Sequence, residues 1–421
     1  MLKDNNPARE ERFLRYRMLE QGISDIEGDV GGLAEKVSCF LGVDNSIIRG
    51  MRDFSKIKRI VIKIGTNILT KNNGKLDTSY VRRITGQISS LVGTGREVVI
   101  VSSGAIGMGI SQLELSDKAK VKNTKIRQAC AAVGQPLLMA EYRKAFARFE
   151  ITVAQVLLTA EVLNNRKTYL NLRNSVETLL KLGIVPILNE NDSVSTEEIG
   201  SAFGDNDKLS ALVASKIDAG LLIILSDIDA LYDKDPRKFE DARPIHSVFE
   251  ITESIIKSAG GKGSKHAVGG MKTKIEAAKI ASNAGYRIVL ANGRSKDVIG
   301  QIIAGKEIGT AFYPKRKLSN RKRWILNSAS TGVINIDEGA VRAVKNRKSL
   351  LPSGIISVNG VFESGAVVML NDNAKAVSSF SSSQLKQLAG KHSSEIKKLL
   401  GSGYRDVVAV PEDIVIIDYL D

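Results

Sequence analysis

The stretch Asn189–Asp207, NENDSVSTEEIGSAFGDND, gathers six carboxylates (Glu190, Asp192, Glu197, Glu198, Asp205, Asp207) and three amides (Asn189, Asn191, Asn206), with no lysine or arginine among them. The whole chain is basic, with 61 Lys+Arg against 46 Asp+Glu and a formal charge of +15. Acids and amides grouped in this way bind an ammonium group, hold Mg²⁺ through water, or orient lysines. Helix capping and dipole complementarity account for one or two of Asp205, Asn206 and Asp207, which precede the helical pattern KLSALVASKI. They do not account for Asn189 to Asp192, which follow the apolar run GIVPIL.

The complementary cations lie at other element ends. In RIVIKIGTN, alternation puts Ile60, Ile62 and Ile64 on one face and Val61 and Lys63 on the other. Lys63 is then either a ligand-facing lysine at the C-terminal edge of a strand or an edge-strand lysine that snorkels to solvent. In VGGMKTKIEAAKIASNAG, Gly269 and Gly270 lead into an amphipathic helix with Lys272 and Lys274 in its first turn. Cations there oppose the helix dipole at about 0.3–1 kcal/mol each, and a bound polyphosphate reverses that sign. Ser102, Ser103 and Gly104 of SSGAIGMG suit an anion or carboxylate and equally suit a simple helix N-cap. Ser226 and Asp227 end the apolar run of LLIILSDIDALYDKDP, in place for a ribose or adenine-side contact. No G-x-x-x-x-G-K-[ST] occurs, which excludes a P-loop. The three histidines, His246, His266 and His392, have no metal-ligand spacing and argue against histidine-centred catalysis.

Positioning these groups needs strands that end together. Short apolar runs (IKRIVIKIG, EVVIVSSG, ITVAQVLLT, GIVPILNE, GLLIILSD, YRIVLANG) alternate with amphipathic segments at 78–93, 122–149, 206–218 and 271–284. That alternation predicts βαβ units and a parallel sheet covered on both faces, an α/β domain over 56–312. Residues 1–55 form a polar, helix-prone extension without the apolar core of a secretory signal. The basic segment 313–325, with Lys315, Arg316, Lys317, Arg321, Lys322 and Arg323, reads as a solvated linker. Short strands with Gly and Asn-Gly turns predict a small β-rich domain over 326–421. At 421 residues, 43% hydrophobic and 25% charged, the chain is an ordinary two-domain globular protein. Cys39 and Cys130 form no redox or metal spacing, so a reducing cytoplasm is expected, and no apolar run reaches membrane-spanning length.

VIKIGTNILT, SSGAIGMG, AAVGQ, ILNENDSV, FGDNDKLSA, SDIDALYDKDP, GGMKTK and NRKRW, taken together, resemble the glutamate 5-kinase family of the amino acid kinase superfamily, with its C-terminal PUA domain. The resemblance covers about 56–410 and implies a three-layer sandwich with a mainly parallel central sheet. It implies that Ser103, Asp192 and Asn206 bind L-glutamate, that Lys63 and Lys274 contact the transferring phosphoryl group, and that Asp207 orients those lysines. Lys63, Ser226 and Asp227, with Val268, Gly269, Gly270, Met271, Lys272, Thr273 and Lys274, would hold ATP, with Mg²⁺ and no dedicated protein metal ligand. Val268 and Ser226 stand where the family often has Thr. The family pattern further implies proline as feedback inhibitor, a homo-oligomer (dimer or tetramer) and hand-off to glutamyl phosphate reductase. Aspartate, acetylglutamate and UMP are the rival acceptors among related kinases. PUA domains elsewhere bind RNA. Here residues 326–421 carry ten Lys+Arg and ten Asp+Glu, a net of zero, without the basic excess that phosphate neutralisation needs.

Overall fold

A computed structural model describes residues 52–71, 75–115, 123–194, 206–258, 270–314, 318–401 and 403–417. Five β-branched-rich runs form β1 (Arg59–Ile64), β2 (Glu97–Ser102), β3 (Val153–Leu158), β4 (Val185–Glu190) and β5 (Leu221–Ser226). A two-residue pairing joins β6 (Leu231–Tyr232) to β7 (Pro244–Ile245), and β8 (Ser247–Val248), β9 (Arg287–Asn292) and β10 (Thr310–Phe312) follow. The main sheet has the order β3-β4-β2-β1-β5-β9-β10-β8 and is parallel throughout except between β9 and β10. Helices link these strands: α1 (Thr78–Gly93), α2 (Ala105–Gln112), α3 (Thr124–Ala147), α4 (Arg166–Lys181), α5 (Asn206–Lys216) and α6 (Met271–Ala284).

The two-residue period of the strands divides the core. Ile60, Ile62 and Ile64 join Val98, Ile100, Ile223 and Leu225 against α1 and α3. Val61, Val99, Val101, Leu222 and Ile224 face α4, α5 and α6. At about 1.5–3 kcal/mol per fully buried aliphatic side chain, a one-residue slip of β1 is strongly disfavoured. Lys63 therefore shares the face of Val61, under α5 and α6. The snorkelling alternative falls, because β1 is flanked on both sides and Lys63 is buried.

Helices α2 and α3 meet through glycines: a Cβ on Gly109 would lie 1.9 Å from the Cys130 carbonyl oxygen, and one on Gly134 1.8 Å from that of Ala105. Ahead of β1 the Arg52 guanidinium donates to the carbonyls of Lys306 (3.0 Å), Ile308 and Gly309 (both 3.3 Å) and His246. Phe54 is buried beside it, and Arg287, at the start of β9, donates to the Asp53 carbonyl at 3.4 Å. Residues 1–51 lie outside the described residues.

The second unit has a sheet of β11 (Gly332–Ile336), β12 (Ile355–Gly360), β13 (Val367–Leu370), β14 (Ala374–Val377) and β15 (Ile414–Ile416), in the order β12-β11-β13-β14-β15. It has its own core around Ile334, Val368, Phe380 and Leu385. Between the units the solvated-linker expectation is corrected over its described part. Residues Asn320–Asn327 form a helix, α7, with Ser319 accepting from the Lys322 N–H at its start. Trp324 and Ile325 are buried against Tyr169 of α4 and against Val367, Val377 and Val415 of the second unit. Arg323 pairs with Asp218 and Arg321 with Asp413. The partners lie 105 and 92 residues away in sequence, so local charge density gave no sign that these arginines are neutralised. Lys315, Arg316 and Lys317 lie outside the described residues.

Candidate active site

The C-terminal ends of β4, β2, β1 and β5 lie side by side, where open parallel sheets bind ligands. Helix α5 begins at that edge, and its first two residues point to different partners. Asp207 is fully buried and receives Lys63 Nζ at 2.6 Å on Oδ1 and Lys274 Nζ at 3.0 Å on Oδ2. Thr273 adds a hydroxyl donor to Oδ2 at 3.0 Å. The two lysines come from β1 and from the first turn of α6, which both pack against α5, so three elements meet at one carboxylate. Burial alone would raise the Asp207 carboxyl, but the ammonium groups of Lys63 and Lys274 outweigh it and bring it down to about 2. Among the described residues the cluster brings two lysine ammonium groups and one carboxylate together in a buried setting.

Gly65 keeps this centre open to the neighbouring strand. A Cβ there would lie 3.3 Å from the Leu225 carbonyl oxygen and 3.6 Å from Lys63 Nζ. Beyond it Ser226 is buried and accepts from the Ile228 N–H at 3.1 Å. Asp227 accepts from Asn67 Nδ2 at 3.0 Å. Gly270 caps α6 without any side-chain cap, Met271 is half-buried and Lys272 is exposed. Val268 and Gly269 lie outside the described residues.

Asn206 turns the other way. Its Nδ2 donates to the Ser103 hydroxyl (2.9 Å), the Ser102 carbonyl (3.0 Å) and Asn189 Oδ1 (2.9 Å). Asn189 Nδ2 in turn donates to Gln135 Oε1 at 2.9 Å. The serine-cap alternative falls for the described helix: α2 is capped by Gly104 at φ 105° with no side-chain bond, and Ser103 is engaged by Asn206. Asp192 lies just past β4, half-buried, and burial pushes its carboxyl up while Arg127 opposes the shift. Glu197, Glu198 and Asp205 lie outside the described residues.

The structure thus joins Lys63, Lys274, Asp207 and Thr273 in one cluster and Asn206 with Ser103 in a second, back to back on the start of α5. Sequence reasoning set Asn189 only within the acid-amide group suited to an ammonium group, and gave no role to Gln135. Asn189 stood inside the conspicuous acid-amide stretch; Gln135 sits mid-helix, and nothing in its neighbours along the chain points it toward a strand end.

The amino acid kinase family matches residues 58–292 and the PUA domain residues 332–400. Among curated relatives, a glutamate 5-kinase from Methanosarcina barkeri is 47% identical over 374 residues, spanning 86% of this chain and 97% of its own length. One from Caldanaerobacter subterraneus subsp. tengcongensis is 45% identical over 368 residues, spanning 86% and 98%. Among solved structures, carbamate kinase from Giardia lamblia bound to AMP-PNP is 18% identical, with a TM-score of 0.46, over 62% of this chain and all 100% of that one.

Proposed function

The chain belongs to the glutamate 5-kinase group of the amino acid kinase family, and from that premise we propose how its residues move the γ-phosphoryl group of ATP to the side-chain carboxylate of L-glutamate, giving L-glutamyl 5-phosphate. The observation that carries this mechanism is the pair of buried lysines fastened by Asp207 beside the Asn206–Ser103 group.

The acceptor carboxylate, with an ordinary pKa of about 4.3, is ionised at neutral pH and needs no general base. The chemistry then rests on in-line placement and on neutralising charge as the phosphoryl group transfers. Lys63 and Lys274 supply that neutralisation from opposite sides of Asp207, which stays anionic and keeps both ammonium groups converged. Ser103, Asp192 and Asn206 hold glutamate; Ser226, Asp227 and the segment from Val268 to Lys274 hold the nucleotide. No cluster of three or more His, Cys, Asp or Glu residues suited to a metal occurs among the described residues. Mg²⁺ carried on the ATP phosphates would add charge neutralisation. Proline inhibition at the glutamate end, a homo-oligomer, a cytoplasmic setting and reduction of the labile acyl phosphate by a partner enzyme belong to the same reading. Among the described residues no helix is long and apolar enough to cross a membrane.

Trapping the acyl phosphate as its hydroxamate, with ATP, Mg²⁺ and a panel of acids, tests the proposal. Product with L-glutamate is expected; turnover of aspartate, acetylglutamate or UMP in its place overturns the substrate assignment.

A further inference from the structure

We infer that Gln135 is a positioning residue that fixes which end of the Asn206 amide faces the acceptor substrate, and through it the preference for an α-ammonium group; this rests on the glutamate reading above. The direction of the relay follows from one group. The Ser102 carbonyl can only accept, so the Asn206 atom 3.0 Å from it is Nδ2. That same Nδ2 lies 2.9 Å from Asn189, whose facing atom must then be Oδ1. Asn189 consequently presents Nδ2 to Gln135, which must accept through Oε1 at 2.9 Å. Each link admits one orientation, and Asn189 and Gln135 are only 2% and 8% exposed.

With both Nδ2 hydrogens taken up among these three acceptors, the Asn206 end that takes no bond among the described residues is Oδ1. An oxygen there meets an ammonium group; an NH₂ there would meet a carboxylate. Gln135 is held to this task by its neighbour, since Gly134 is pressed against the Ala105 carbonyl and α3 has no room to shift. Remove the acceptor at position 135, and Asn189 keeps a buried donor with nothing to receive it. Turning the Asn189 amide to find another acceptor brings its Nδ2 against Asn206 Nδ2, donor to donor, and the end that Asn206 shows the substrate is no longer fixed.

Steady-state kinetics of the full chain with L-glutamate and with glutarate, which lacks the α-amine, tests this. Wild type is expected to favour glutamate strongly. Gln135→Met should raise the KM for glutamate on the order of tenfold, the cost of one unsatisfied buried donor, and shrink the glutamate-to-glutarate preference, with the KM for ATP unchanged. Gln135→Glu, which restores an acceptor, should recover the preference. If Gln135→Met does not fold, Gln135→Asn withdraws the same acceptor by one methylene and is expected to behave as Gln135→Met should. A folded Met or Asn variant with the wild-type preference overturns the inference, and so does a Glu variant no better than Met. Wild type inactive on both acids overturns the glutamate reading itself, a result visible before any variant is made.

Discussion

Asp207 holds two buried ammonium groups with one carboxylate, so Asp207→Asn removes a shared counter-charge from both. We expect a loss of about 3–5 kcal/mol, the usual cost of breaking a buried pair, together with a fall in kcat of on the order of a hundredfold or more; urea titration and initial rates check the two. The carboxyl is held down at about 2, so the stability it contributes is full above the ordinary carboxylate pKa and is lost as pH falls toward 2. The urea-midpoint gap between wild type and Asp207→Asn should accordingly narrow between about pH 4 and pH 2. Lys274→Ala should chiefly lower kcat, whereas Asn206→Ala should chiefly raise the KM for glutamate; equal KM values for wild type and Asn206→Ala would remove Asn206 from the glutamate site. Lys63 and Lys274 stood out in the chain because each is a charge where local structure alone does not want one. An acid at the start of a helix such as Asp207 breaks no local rule, and it drew its role from the resemblance. Nor did Gln135 stand out, since a glutamine inside a helix breaks no local rule either.

At the scale of elements, the two-residue period told most of the story. It assigned Ile60, Ile62 and Ile64 to one core and Val61 with Lys63 to the other, and the sheet follows that division. Helix α7 escaped notice because its arginines find acids only after the chain has folded back on itself. The close crossing of α2 and α3 was equally hidden, as a glycine in a helix does not announce what presses on it. There a single methyl is decisive. Gly134→Ala should destabilise the protein by about 1–3 kcal/mol or more, because the obstacle is the Ala105 backbone carbonyl; guanidinium unfolding measures it. A change under about 0.5 kcal/mol would mean that the helices can separate freely.

For the molecule as a whole, the junction between the two units is a mixed apolar and cationic seam. Lys216, at the end of α5, lies under the rings of Tyr169 and Trp324, with centroids 4.8 Å and 5.9 Å from Nζ, and has no hydrogen-bond partner among the described residues. Burial, with Lys375 of β14 adding repulsion, lowers its amine to about 7. The folded state then binds fewer protons than the unfolded chain between about pH 7 and the ordinary lysine pKa of about 10.4, so stability from this group rises with pH across that window. Lys216→Met should raise the melting temperature at pH 6.5, on the order of 2–4 kcal/mol of relief, with the gain fading by about pH 10. Trp324 is the sole tryptophan of the chain, so its emission reports the seam directly. Val415→Asp, which puts a charge into the same cluster, should shift that emission to the red before the main unfolding transition.

The entry of the chain into β1 fixes a polarity of another kind. The Asp53 carbonyl accepts from Arg287 at the start of β9, and β1 begins at Arg59, so this stretch lies at the N-terminal ends of the strands, away from the edge that carries the lysine cluster. A bead or electrode coupled at the exposed Ser55 would therefore hold the protein by its base, with the mouth of the crevice turned toward solution and open to incoming nucleotide.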